Sequence, residues 1–271
     1  MAKWDIKDGF WRLDAEEGAE WNFSYVLPQH PREPIYLVVP TSLQMGWVES
    51  PPFFCAAPGM ARDIVQYYCE TKMGTLPPHK FTNYVIGNQA YEGLPERDEL
   101  VRIFHYLLEV YVDDFVSLVI PTSREQLRHV SMGTMTGIHD VFPADDIDSN
   151  DPISEKKLNQ LDGEYSTKKT ILGFDFDGVN KTIWLEEAKR AHLLTVLHGK
   201  IRSSKSGVAS IPFKEFETMV AKIRHAFTAI PAVQGLLTPC NKILQTKPPI
   251  IYLQRNHMLR AAILGCWMLL R

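Results

Sequence analysis

Leu107-Leu-Glu-Val-Tyr111-Val112-Asp113-Asp114-Phe-Val-Ser-Leu-Val-Ile120 decides how this chain is read. Two adjacent carboxylates interrupt two apolar, β-branched runs. Each run has the length and composition of a buried strand, which places the acids at the tip of a hairpin. Two neighbouring carboxylates near a core lose hydration and repel each other, so the pattern calls for a positive partner. A divalent cation that prefers hard oxygen donors answers that need. A third carboxylate is then expected elsewhere in the chain.

Asp5 answers it. Trp4-Asp5-Ile6 alternates like a strand end, and Gly9 with Phe10-Trp11 follows as a turn. If that strand lies beside the hairpin, Asp5, Asp113 and Asp114 meet. Such a cluster suits a two-metal centre of the kind that activates a hydroxyl nucleophile and steadies a transferring phosphoryl group.

Outward from these motifs, Trp21–Leu27 and Ile35–Val39 read as strands around a turn at 28–34. Pro51 at a first helical turn, with Ser50 as its cap, opens a helix to about Glu70, kinked or delayed by Pro58-Gly59. Residues 71–98 read as a loop-like insertion, and 98–108 as a helix leading into the hairpin. A helix is expected from Ser123 to about His139. The acidic stretch 143–163 reads as an exposed linker. Residues 167–185 hold two alternating runs around Asp177-Gly-Val-Asn180, a hairpin. From Glu186 the texture becomes helical: Glu186–Lys200, Pro212–Ile230, a segment to about Leu244, and another from about Asn256. The C-terminal third therefore reads as a small helical bundle.

The chain has 271 residues with 45% hydrophobic and 23% charged content, enough for a large core and one to two domains. No run of about 18 apolar residues suggests a membrane span, and the N-terminus lacks an apolar signal region. Cys55, Cys69, Cys240 and Cys266 lack zinc-finger spacing and read as reduced thiols of an intracellular protein, cytoplasmic or nuclear. Residues 1–163 hold 13 Lys and Arg against 25 Asp and Glu, a net of −12. Residues 164–271 hold 16 against 7, a net of +9, which together give the chain's −3. A basic C-terminal part suits a polyanion partner, or a solvated helical surface.

In their order along the chain, four segments resemble those of a reverse transcriptase, with the flavour of an LTR- or tyrosine-recombinase-type retrotransposon. Asp5-Ile-Lys-Asp-Gly-Phe10 is similar to the family's first carboxylate motif. Leu43-Gln-Met-Gly-Trp-Val-Glu-Ser-Pro-Pro-Phe-Phe54 resembles its template- and nucleotide-contacting motif. Tyr111-Val-Asp-Asp114 resembles its signature box, and Ile171-Leu-Gly-Phe174 its primer grip. A lone Tyr-x-Asp-Asp is weakly specific, whereas four ordered blocks are strongly so.

The resemblance implies an α+β fold. A palm of antiparallel sheet with packed helices would span 1–163, with the insertion and the acidic linker. A primer-grip hairpin would span 164–185, and a helical, thumb-like part 186–271. It implies RNA-directed DNA polymerase activity, adding deoxynucleotides to a primer 3′ hydroxyl. Asp5, Asp113 and Asp114 would be catalytic and would hold two Mg²⁺ (or Mn²⁺), with the Ile6 carbonyl completing a shell. Phe10, Gln44, Met45, Gly46 and Tyr111 would line the nucleotide site, Phe10 excluding a 2′ hydroxyl. Phe10 on its own also reads as a core residue. Val112, Leu172 and Gly173 would hold the primer. The implied partners are a primed RNA or DNA template, deoxynucleoside triphosphates and other segments of the same polyprotein, and no membrane.

The chain departs from the family where Gln44-Met45 stands in place of the frequent Pro-Gln or Pro-Phe. It also begins almost on Asp5, so the triphosphate-clamping fingers are expected on a preceding segment. The alternatives are a catalytically inactive, domesticated domain that binds nucleic acid or protein, and an unrelated two-metal nuclease. The nuclease reading leaves Phe10 and the Gly46/Ser50-Pro51 block unexplained.

Overall fold

The paired Asp113-Asp114 runs form the centre of the first sheet. β4 (His105–Tyr111) and β5 (Asp114–Ile120) are antiparallel strands closed by Val112-Asp113, with Tyr111 opposite Asp114. β1 (Ala2–Asp5) pairs on the other side of β5, giving the order β1-β5-β4. Alternation sets the faces: Ala2 and Trp4 of β1, Phe115 and Ser117 of β5, and Leu108 of β4 are buried. The Ser117 hydroxyl and the Tyr165 hydroxyl satisfy each other inside, 2.8 Å apart.

This computed structural model describes residues 1–28, 30, 34–71, 76–85, 105–121, 123–144, 150–205 and 210–271. The described chain divides into two compact units, Met1–Thr167 and Lys168–Arg271. It is a mixed α+β structure with small antiparallel sheets.

In the first unit, α1 (Ser50–Thr71) and α3 (Arg124–Val141) pack on each other, and α1 also meets β4. Phe54, Ala61, Val65 and Cys69 form the buried stripe of α1, opposite Val130, Met135 and Ile138 of α3. A fully buried Phe54, Phe115 or Trp4 each contributes about 1.5–3 kcal/mol. α1 runs through Pro58 without ending, because a buried proline costs the helix one backbone hydrogen bond while packing holds the rest. Ser123 caps α3 by accepting the Gln126 N–H.

Residues 105–108 are strand, not helix, because β4 gains a full ladder of partners on β5; residues 98–104 lie outside the described set. The two early strands shrink to β2 (Tyr25–Val26) and β3 (Leu37–Val38), exposed and paired only with each other, while Glu20–Phe23 forms a 3-10 turn. With no face to bury, those aromatic runs lack the packing that lengthens a strand. Within 76–85 a short helix, α2 (Thr82–Val85), forms; residues 72–75 and 86–98 of the expected insertion lie outside the described set. The expected acidic linker is exposed only in part where it is described, at Pro143, Glu155, Lys156 and 159–161. Asp151, Pro152, Ile153 and Ser154 are buried, and α4 (Glu155–Leu158) follows; 145–149 lie outside.

In the second unit, the expected hairpin is a three-stranded antiparallel sheet, β6 (Lys168–Ile171), β7 (Phe174–Asp177) and β8 (Thr182–Leu185). The helices follow their periodicity. α5 (Glu187–Lys205) buries Leu193, Leu197 and Ile201; α6 (Phe213–Ala226) buries Phe216, Met219, Val220 and Ile223; α8 (His257–Leu270) buries Leu259, Ala262, Ile263 and Cys266. α7 (Thr238–Thr246) completes the bundle, and Asn256 caps α8 by accepting the Leu259 N–H. A small ladder of β9 (Ser210–Pro212) with β10 (Ile250–Tyr252) was not anticipated.

The four cysteines are free, and Cys69, Cys240 and Cys266 are buried. Burial pushes the Cys69 and Cys240 thiols up to about 12, which makes them packing groups rather than nucleophiles. No described helix is long and apolar enough to cross a membrane.

Candidate carboxylate site

Asp5 ends β1 directly opposite Asp114 on β5, and opposite residues of an antiparallel pair project from the same face. The Ile6 N–H donates to the Asp113 carbonyl at 2.9 Å, which ties the end of β1 to the hairpin turn. Asp5, Asp113 and Asp114 are therefore brought to one end of the sheet. Ile6, next to Asp5, belongs to the core and is 2% exposed.

Burial pushes the Asp113 and Asp114 carboxyls above their ordinary range, and the Asp5 charge adds to that, while Lys157 and Lys3 pull them back. Asp114 Oδ1 is a buried oxygen without a hydrogen-bond partner. Lys157 supplies positive charge. Its ammonium donates to Asp5 Oδ1 and stands 3.9 Å from Asp114 Oδ1. Burial by itself would lower the Lys157 ammonium, but the Asp5 hydrogen bond and the three carboxylate charges outweigh it and raise it. Among the described residues, no group of three or more His, Cys, Asp or Glu side chains is gathered as a ready metal cage.

Lys157 was not singled out in the sequence because it sits in a charged stretch that reads as surface. The backbone brings it in. Ile6 bridges Ile153, the Ser154 N–H donates to the Asp5 carbonyl at 3.0 Å, and the Lys7 N–H donates to the Pro152 carbonyl at 2.7 Å. A lone isoleucine between Pro152 and Ser154, in otherwise acidic surroundings, is the one sequence signal that this stretch is anchored.

The same segment carries a second polar cluster that sequence reading missed. Asp151 accepts from His139 Nε2 at 3.1 Å and from the Ile153 N–H at 2.8 Å, and pairs with Lys80. His139 Nδ1 faces His79 Nε2 at 3.4 Å, and the Phe81 N–H donates to His79 Nδ1 at 3.2 Å. One tautomer assignment satisfies both histidines. Neutral His79 carries its proton on Nε2 and donates to His139, which donates from Nε2 to Asp151. Burial would raise the Asp151 carboxyl, but the hydrogen bonds from His139, Lys80 and Ile153 hold it far below the usual range.

His79 is pushed down to about 4, by burial first and by His139 second. The unfolded chain binds that proton near 6.5, so stability is full above about pH 6.5 and falls as pH drops toward 4. Asp151 stays ionised through that window. Because His79 is only partly buried, the expected loss is about 1–2 kcal/mol rather than the full linkage value. Urea unfolding at pH 7 and pH 4.5 checks this: His79→Phe is expected to lose less stability between the two than the parent.

Of the remaining predicted site residues, Phe10 stacks on Phe54 with centroids 4.4 Å apart, so its ring is half-buried and seated on the core. Gln44 turns back onto the Ser42 carbonyl at 2.9 Å, and the Ser50 hydroxyl donates to the Gln44 carbonyl at 2.6 Å. Met45 is exposed, and Gly46 takes φ +99°, a conformation that favours glycine. Tyr111 is exposed beside the carboxylates.

Val112 opens the hairpin turn at φ +58°, an outlier for a β-branched residue and of order 1–3 kcal/mol in cost. Val112→Gly is expected to raise stability by about 1 kcal/mol, measured by chemical unfolding, because it releases that strain.

No model of a known protein family matches the chain, and no curated protein matches it.

Leu172 and Gly173 lie in the second unit, at the two-residue turn between β6 and β7, both with positive φ. A β-carbon added at Gly173 would meet Lys189 Nζ at 2.6 Å and His225 Nε2 at 3.3 Å, so this turn is flanked by basic side chains. Leu172 is exposed at the turn.

Proposed function

We propose that this chain is the palm and thumb portion of a reverse transcriptase, an RNA-directed DNA polymerase of a retroelement. The observation that carries the reading is the register pairing of Asp5 with Asp114, beside Asp113 at a hairpin turn. Those residues are distant in sequence, and their meeting is what a two-metal phosphoryl-transfer centre requires.

The donor set is made of hard oxygens, and Asp114 Oδ1 is buried with no hydrogen bond, which suits Mg²⁺ or Mn²⁺. Asp5, Asp113 and Asp114, with the Ile6 carbonyl, would hold the cations. When bound, the cations would lower the pKa of a primer hydroxyl and neutralise charge on the triphosphate. The chain's own residues do the positioning. The β1–β5 ladder fixes Asp5 against Asp114, and the Ile6–Asp113 hydrogen bond fixes the turn. Exposed Tyr111 and strained Val112 offer a surface beside the acids for a primer terminus. Phe10, braced on Phe54, is a rigid ring for excluding a 2′ hydroxyl, and Met45-Gly46 an open backbone for nucleotide approach. Leu172-Gly173, flanked by Lys189 and His225, suits a primer backbone. The net +9 of residues 164–271 supports phosphate contact without sequence reading.

Primer extension on an oligo-dT-primed poly-rA template with Mg²⁺ or Mn²⁺ tests the reading, comparing this chain, a version extended at the N-terminus by a fingers segment, and Asp113→Asn in the extended version. Metal-dependent addition of deoxynucleotides is expected from the extended version and its loss in Asp113→Asn. Failure of the extended version to extend with either cation, or full activity of Asp113→Asn, overturns it. A second reading, a catalytically inactive domain that binds nucleic acid or protein, is favoured by Lys157 occupying Asp5. Salt-dependent binding of an RNA/DNA hybrid without extension would establish that reading instead.

A further inference from the structure

The carboxylate site is under-neutralised as it stands. Asp5, Asp113 and Asp114 lie at one end of the sheet, while Lys157 contributes one charge, bound closely to Asp5 and 3.9 Å from Asp114 Oδ1, and Lys3, which also acts on Asp113 and Asp114, is paired with Asp162 at 3.1 Å. An ammonium and a divalent cation on the same carboxylate compete for its charge, and at about 4 Å their repulsion is considerable even in a partly solvated site.

Lys157 has the features of a movable counter-ion on a fixed mount. Its backbone is held: the Lys157 N–H donates to the Ser154 carbonyl at 3.0 Å, and the Asp162 N–H donates to the Lys157 carbonyl at 3.2 Å. The adjoining Leu158 is buried. Residues 150–154 run along Lys7, Ile6 and Asp5 through the Lys7–Pro152 and Ser154–Asp5 hydrogen bonds and the Ile6–Ile153 bridge. Asp151 staples this segment through His139 and Lys80, and Arg12 grips the Asp151 carbonyl at 2.8 Å. The Lys157 side chain, by contrast, is 38% exposed, so it can swing away without opening the core.

We propose that Lys157 is a built-in counter-ion of the carboxylate site, exchanged for a divalent cation when one binds, and that residues 150–158 are the splint that mounts it. This rests on the cation-binding part of the function proposed above. The splint keeps Lys157 at high local concentration beside Asp5, so it opposes the incoming cation as a tethered competitor. It also protects the acids from mutual repulsion when no divalent ion is present.

The test is brief acylation of the intact chain with an N-hydroxysuccinimide ester, read peptide by peptide by mass spectrometry, with and without saturating Mn²⁺. Exposed Lys214 serves as the internal control. Mn²⁺ is expected to speed Lys157 modification about fivefold and to leave Lys214 unchanged. Lys157→Met is expected to bind Mn²⁺ about tenfold more tightly than the parent in a paramagnetic-resonance titration. Mn²⁺ that binds without altering Lys157 reactivity, equal affinity in Lys157→Met, or no Mn²⁺ binding at all each overturns the proposal. The acylation arm uses the parent chain, so it stands even if the variant does not fold. Exchange observed without primer extension would support the counter-ion and reject the polymerase. Primer extension with an unmoved Lys157 would do the reverse.

Discussion

Asp114→Asn is expected to lower primer extension by about 10³-fold, or ~4 kcal/mol of barrier, while leaving the chain as stable as the parent or more so. The two effects have one cause. Asp114 is a carboxylate whose ionised form is disfavoured by burial, with one buried oxygen unmatched and Asp5 directly opposite. A neutral amide of the same shape removes the repulsion and lowers the desolvation cost. Its folded pKa is raised, so the ionised group costs stability at neutral pH, and a gain of about 1 kcal/mol is expected from the substitution. For a unit of this size that is about 2–4 °C in melting temperature. A purely structural aspartate would behave in the opposite way, losing stability on replacement. Calorimetry and primer extension on the same preparation separate the two, and a loss of stability in Asp114→Asn would count against a functional site at this hairpin.

Gly137→Ala is expected to destabilise the first unit by about 2 kcal/mol, seen as a fall of about 4–8 °C in melting temperature. Gly137 lies where α3 crosses α1. A β-carbon there would stand 2.5 Å from Val65 Cγ2, 3.2 Å from Val65 N and 3.3 Å from the Ala61 carbonyl oxygen. A valine side chain in a helix has little freedom to move aside, and the backbone atoms behind it have less. Overpacking of this kind outweighs the roughly 1 kcal/mol that alanine gains in helix propensity. Gly199→Ala provides the contrast. It lies within α5, with nothing inside 4 Å of an added β-carbon, so propensity acts alone and stability is expected to rise by about 0.5–1 kcal/mol. Thermal unfolding of both variants tests whether the α1–α3 crossing is as close as the glycine implies.

The elements legible in the sequence were those whose partners are local. The Asp113-Asp114 hairpin joins two neighbouring runs by a two-residue turn, and β4 and β5 follow the apolar pattern on either side. α3 carries its own cap in Ser123, and α5, α6 and α8 carry apolar stripes at helical spacing. The stretches that misled were those whose period matched a form that tertiary contacts did not support. The aromatic alternation of 21–27 and the apolar run of 35–39 found no face to bury, and helical spacing at 105–108 yielded to the ladder on β5. At the candidate site, the carboxylate residue types and the hairpin position of Asp113 and Asp114 could be read directly. The pairing of Asp5 with Asp114 was conditional on two strands becoming neighbours.

What the sequence by itself determined is the supply of parts: three carboxylates at strand ends, a hairpin to present two of them, and a basic helical stretch after Lys168. Each follows from short-range periodicity, turn chemistry or charge. Tertiary structure alone decided that Asp5 faces Asp114, that residues 151–154 are buried along β1, and that Lys157 balances the Asp5 carboxylate. The physical reason is distance along the chain. Lys157 and Asp5 are 152 residues apart, and no local pattern encodes a pairing that depends on the β1–β5 ladder and the Ile6–Ile153 bridge forming first.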